Sequence, residues 1–194
     1  MKAIIQGILI AVLMMVFFSV ILYSESKFDF RKVSWGMNRD KVKSTEKLNI
    51  IGENDKILVY KAVSLEKNVN IVYIFVNDKL VRAKYVINEE HTQKNDYIRD
   101  YKEFKDILIK IYNEPLNDNI IWLDDLYKND PSKYGLAVSI GHLSYWSNWE
   151  TERTKIICML RGENYSIICG IEYSSKELEP LENKEIERKN IEDF

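Results

Sequence analysis

Residues 69 to 87 read VNIVYIFVNDKLVRAKYVI, two apolar-rich runs joined at Asn77-Asp78. β-Branched and aromatic residues dominate both runs, and Asn-Asp tolerates the positive φ of a two-residue turn, so the stretch predicts an antiparallel hairpin. Successive side chains on a strand point to opposite faces. With an unbroken register, Val72, Ile74, Val76, Val81, Ala83, Tyr85 and Ile87 share one face, an apolar set suited to burial under helices. The other face takes Ile71, Tyr73, Phe75, Arg82, Lys84 and Val86. Aromatic rings beside cations there suit a carbohydrate, an anionic polymer or a protein partner, or else form ordinary cross-strand pairs on a wet surface.

On either side of the hairpin the pattern continues. Ile57 to Val63 supplies a third strand and completes a meander, while Phe28 to Val33 alternates as a short strand. Asn38 is a good helix N-cap, Asp40 sits in the first turn and Met37 is placed to pack on Val42, so a helix is expected from 39 to 47. Tyr97, Tyr101, Phe104, Leu108 and Ile111 fall on one face of a second helix, which Asn113-Glu114-Pro115 ends. Further strands are expected at 120–123, 136–146, 149–160 and 165–173, with 124–133 as a polar loop. The predicted fold class is α+β, an antiparallel sheet of about seven to eight strands with two helices packed on one face. Helix followed by meander occurs twice, which suggests a tandem repeat.

Residues 3 to 23, AIIQGILIAVLMMVFFSVILY, carry no charge. At about 1.5 Å per helical residue they reach roughly 30 Å, the thickness of a bilayer's hydrocarbon core. They read as a signal peptide cleaved near Ser26 or as an uncut transmembrane anchor. Either leaves 27–174 as one domain outside the cytoplasm, membrane-tethered through 3–23 if uncut, and 175–194 as a charged tail, helical or unstructured. The nearest cysteine is at 158, which sets lipidation aside. With 28 basic and 30 acidic residues, the formal charge of -2 provides no large single-sign field, and nucleic acid is excluded as a partner.

A turn at Ser147-Asn148 would pair Trp146 with Trp149 and His142 with Arg153, gathering all four with Lys155 on one side of a hairpin. Tryptophan dominates interface energetics, so this is the strongest candidate contact, although a Trp pair equally stabilises a hairpin. Cys158 and Cys169 flank a turn near Glu163-Asn164 that sets them opposite, as a disulfide or as two buried thiols. Both lie in apolar strand patterns, unlike an activated nucleophile. Asp124, Asp125 and Asp130 lack the alternation and central glycine of a calcium loop. No phosphate loop, zinc spacing or nucleophile elbow occurs, and no cofactor is implied.

The opening from Phe30 through Trp35-Gly36-Met37-Asn38 to Val42, followed by strands and a helix closing at Tyr112-Asn113-Glu114-Pro115, resembles a group of uncharacterised bacterial exported proteins. More remotely, the Gly-Met helix start and meander are similar to SmpA/BamE-type envelope factors and to the repeat of beta-lactamase inhibitor protein. That likeness implies a non-enzymatic fold with one sheet face left for partners. The expectation is therefore a non-catalytic extracytoplasmic binding protein for a protein or an envelope polymer. The alternatives are an unrecognised hydrolase, a carbohydrate-binding protein, or an enzyme-inhibitor-like module.

Overall fold

The computed structural model describes residues 28–192, and the apolar run at 3–23 lies outside them. The founding hairpin is present as β3 (Lys67–Val76) and β4 (Lys79–Ile87), with Asn77 and Asp78 both at positive φ, 49° and 56°, as a two-residue turn of matching twist requires. Before it come α1 (Arg39–Thr45), β1 (Ile50–Glu53) and β2 (Ile57–Ser64). After it come α2 (Asp96–Tyr112), β5 (Asn117–Trp122), α3 (Tyr134–Ser139), β6 (Leu143–Glu150), β7 (Thr154–Glu163), β8 (Ser166–Ser175) and α4 (Glu179–Glu192). The eight strands form one antiparallel sheet in the order β1-β2-β3-β4-β8-β7-β6-β5. It is thus two four-stranded meanders joined at β4 and β8, with the first strand of each at an outer edge. The α+β class is as expected.

Reaching β5 from β4 means crossing four inter-strand gaps, about 19 Å at 4.8 Å each. The 17 residues of α2 span roughly 25 Å and make that crossing against β7 and β8. Its stripe of Ile98, Tyr101, Phe104 and Leu108 is buried there. Asn95, at its start, ties in α3: its Oδ1 accepts from Gly135 N at 2.6 Å and its Nδ2 donates to Pro131 O at 3.1 Å. A Cβ on Gly135 would stand 2.2 Å from the Lys94 carbonyl carbon, so this contact admits only glycine.

The hairpin's faces differ from the expected ones for a local reason. Phe75 pairs with Leu80 but Ile74 pairs with Arg82, so Val81 is the extra residue of a bulge. One extra residue reverses the parity of everything after it. Ala83 and Tyr85 therefore join Tyr73 and Ile71 on the core face, while Arg82 and Lys84 join Ile74 and Val72 on the outer face. Tyr73 and Phe75, expected on the open side, are 0% and 2% exposed. Burial keeps the Tyr73 phenol protonated far above its ordinary range, and it bonds to Glu46.

Three further corrections concern element type. Phe28 to Val33 is not a strand but a reverse turn, closed by Val33 N on Phe30 O at 2.9 Å with Arg31 at φ 52°. It delivers the Phe30 ring among Tyr73, Tyr85 and Tyr173, with centroids 5.7, 5.1 and 5.0 Å away. The expected strand at 136–146 begins instead as α3, and β6 starts only at Leu143. The small residues Gly135, Ala137 and Ser139 are all buried there, so close tertiary packing overrides the local strand pattern. The edge strand β1 has no counterpart in the sequence reading. Among the described residues no helix is long and apolar enough to cross a membrane.

Candidate functional site

β6 runs straight through Ser147-Asn148, and the hairpin turn lies beyond it at residues 151–153, closed by Thr151 N on Thr154 O at 2.8 Å. Trp146 and Trp149, three residues apart on one strand, consequently point to opposite faces. Trp149 is buried in the core, 2% exposed, and donates its indole N–H to Asn113 O at 2.8 Å. Trp35 does likewise to Thr154 Oγ1 at 2.9 Å. Trp146 stands half-buried on the outer face, and its indole N–H makes no bond among the described residues.

His142 and Arg153 do not join it. They lie at opposite ends of β6: His142 stacks beneath Tyr127 with centroids 6.4 Å apart, and Arg153 reaches Asp29 at 3.4 Å. His142 Nδ1 is buried without a hydrogen bond, since Asp124 stays 3.7 Å away. Of the expected quartet, Trp149 is buried, His142 and Arg153 lie near Asp124 and Asp29, and Trp146 stands on the outer face without a hydrogen-bond partner among the described residues.

Around Trp146 the register composes a surface row by row. Asn119 of β5 lies directly opposite it, and Met159 of β7 lies on its other side. One row towards the hairpin turn, Asn117, Asn148 and Ile157 line up; one row the other way come Ile121 and Ser144, and Arg161 follows Met159 by two residues on β7, just past the last β6–β7 pair. A shallow groove of about 310 Å³ runs here, lined by Asn119, Ile121, Trp146, Asn148, Lys155 and Ile157. Its charged border is closed off. Lys155 Nζ sits 2.8 Å from both Glu179 oxygens, and Glu150 takes Lys176 at 2.8 Å, which holds its carboxyl below the usual carboxylate range.

The reverse side of the groove floor is tied into the core. Ser147 Oγ donates to Asp118 at 2.6 Å, so it accepts from Tyr101 OH at 2.5 Å, and Lys105 closes the chain on Asp118 at 2.7 Å. Burial pushes the Asp118 carboxyl up, but Lys105 and Ser147 more than offset this and hold it below its ordinary value. The Tyr101 phenol is pushed up by burial.

The remaining expected residues do other work. Arg82 pairs with Glu172 at 2.7 Å and Glu182 at 2.8 Å, and Lys84 pairs with Glu172 at 2.5 Å. Burial alone would lower the Arg82 pKa; the two carboxylates outweigh it and raise it. The β7–β8 register places Cys169 opposite Leu160 and Cys158 opposite Ile171, two residues from the expected alignment. Both thiols are free and buried, and burial pushes both upward, away from the reactive thiolate.

Two carboxylates in the interior have no place in the sequence reading. Asp100, 0% exposed, receives Lys67 at 2.9 Å and His91 at 2.5 Å, and Lys67 also reaches Glu103 at 2.9 Å. Glu46 receives Arg31 at 2.8 Å together with the Tyr73 hydroxyl. Asp100 was detectable in principle, because it falls inside the apolar stripe between Tyr97 and Phe104. Both clusters bind elements together: α2 to the start of β3, and the 28–33 turn to the end of α1. Among the described residues no three His, Cys, Asp or Glu side chains are grouped to hold a metal ion.

Comparison of the chain with models of known protein families, with curated proteins and with solved structures finds no match.

Proposed function

We propose that the chain is a non-catalytic binding protein that works outside the cytoplasm, tethered or exported through residues 3–23, and that its contact surface is the outer face of β5 and β6 around Trp146. In this reading α1 and α2 share the core face, each heading a helix-plus-meander half of the kind seen in SmpA/BamE-type and inhibitor-type repeats. The observation that carries it is the unspent indole of Trp146 beside the free carboxamides of Asn119 and Asn148, while Tyr73, Phe75 and Trp149 are buried and Arg82, Lys84 and Arg153 are held in ion pairs. Indole offers large contact area with few torsions to freeze, which makes it effective at binding sites. Replacing Asn119 with a photo-crosslinking amino acid in intact cells tests it. Adducts should form from that position and not from Val63, which is 70% exposed on β2. Equal labelling from both positions overturns the assignment.

A further inference from the structure

The Trp146 groove has a composition that selects among occupants. Asn117, Asn119 and Asn148 stand in adjacent rows beside the indole, and none of their carboxamides makes a hydrogen bond within the described residues. A carboxamide supplies two donors and an acceptor with two lone pairs. Several of them side by side match a ligand whose groups donate and accept at every point, and hydroxyl groups do both. The charges in the lining are paired, Lys155 with Glu179 and Glu150 with Lys176. A polyanion would find no uncommitted ammonium in the lining. An added peptide strand would take the open backbone of β5 in the plane of the sheet and leave these face carboxamides unused.

We infer that the groove binds an uncharged glycan, one pyranose ring lying on the Trp146 indole with its hydroxyls bonded to the carboxamides of Asn119 and Asn148. This rests on the binding reading above and names its ligand. A sugar ring has an apolar C–H face and a polar rim, so it covers the indole while its edge hydroxyls meet the amides of the flanking rows. The groove volume of about 310 Å³ lies at the low end for ligand sites and fits a short stretch of polymer rather than a deep-bound metabolite. Ile121 and Ile157 close its apolar margins. Arg161, exposed one row below the indole, is where a charged glycan would reveal itself.

Affinity electrophoresis of the full chain in detergent, through gels holding hydroxyethylcellulose, xylan or glycol chitin and separately polygalacturonate, tests this. Retardation by at least one neutral glycan is expected, with Trp146→Ala weakening it by about tenfold or more and Asn148→Leu by a smaller factor. Both variants should keep the wild-type melting temperature, and if Trp146→Ala alone fails to fold, Asn148→Leu decides. Retardation by polygalacturonate alone, lost in Arg161→Gln, overturns the neutral ligand but keeps the face. Failure with all four polymers while Asn119 still crosslinks overturns the glycan and leaves the binding reading standing. Failure of both overturns both.

Discussion

On the outer face of the sheet, β3 and β4 meet α4, whereas β5 and β6 carry Trp146 and its carboxamides with no element laid over them among the described residues. The two halves have the same topology, a meander entered from its outer edge. They differ in chemistry. The covered half presents Arg82 and Lys84, and Lys56 at its upper end, cations that α4 and β8 answer with Glu182, Glu185 and Glu172. The open half presents amides and an indole, and the helix meets it only at its border, where Glu179 pairs with Lys155. The helix thus lies where the strands carry cations, and what it leaves is a surface of amides around one indole with charge confined to its borders.

The sharpest test of the two sides of β6 sets its two tryptophans against each other. Trp149→Ala empties a buried site and breaks the bond to Asn113, and should cost about 3–5 kcal/mol. Trp146→Ala should cost less than about 1 kcal/mol. Urea unfolding of the two variants checks this, and equal losses would mean that Trp146 is structural.

Alkaline pH should strike the core face and spare the outer one. Buried Cys158 and Cys169 have pKa values raised above the ordinary 9.0, and Tyr73, Tyr101 and Tyr173 lie above 10.0, all of them core-face or α2 groups. A raised folded-state pKa stabilises fully below the unfolded value and loses that contribution as pH climbs towards the folded value. Stability should thus fall from about pH 9 upward, by roughly 1.4 kcal/mol per pH unit for each thiol that ionises only when unfolded. Cys158→Ala with Cys169→Ala should delay the onset until the tyrosines titrate, whereas Trp146→Ala should leave the alkaline limb unchanged. Thermal melts across pH 7 to about 11 read both.

Arg82→Ala comes next. It leaves Glu172, 8% exposed, with Lys84 alone and unpins Glu182, so a loss of about 1–2 kcal/mol is expected, less than for a fully buried pair because Arg82 is partly solvated.

The same contrast shows what a sequence can and cannot disclose. The positions of β2, β3, β4 and α2 follow from composition and period, because a turn such as Asn77-Asp78 and the α2 stripe are written in residue types. Which face each residue occupies depends on parity, and parity turns on single residues. Val81 forms a bulge with no glycine to announce it, and so exchanges Tyr73 for Arg82. The β6–β7 turn sits at 151–153 rather than 147–148, and so separates Trp149 from Trp146. The site was legible as a tryptophan and a strand; its amide neighbours were not, because Asn119 belongs to a strand whose partner is fixed only by the long crossing of α2. Glu46 and Asp100 escaped for a related reason. Their basic partners, Arg31 and Lys67, lie far away in sequence and meet them only in the folded chain.

The smallest expected effect probes how α4 is held. Its inward positions include Glu182, Glu185 and Lys189 rather than an apolar stripe, and no residue of the helix is buried. Ion pairs at such exposure contribute little each and are screened by salt, with a Debye length falling from about 10 Å at 0.1 M to about 3 Å at 1 M. Raising sodium chloride over that range should speed amide exchange across Glu179–Glu192 several-fold while exchange in β6 and β7 stays constant. The Trp146 groove should respond only at its upper border, where Lys155 loses Glu179. If instead the helix is held by Leu178, which packs against the core, and Leu181, salt will change nothing and Leu181→Asp will release it. That outcome would mean that burial of apolar contacts at the start of α4, rather than charge on the strands, divides the outer face into its covered and open halves.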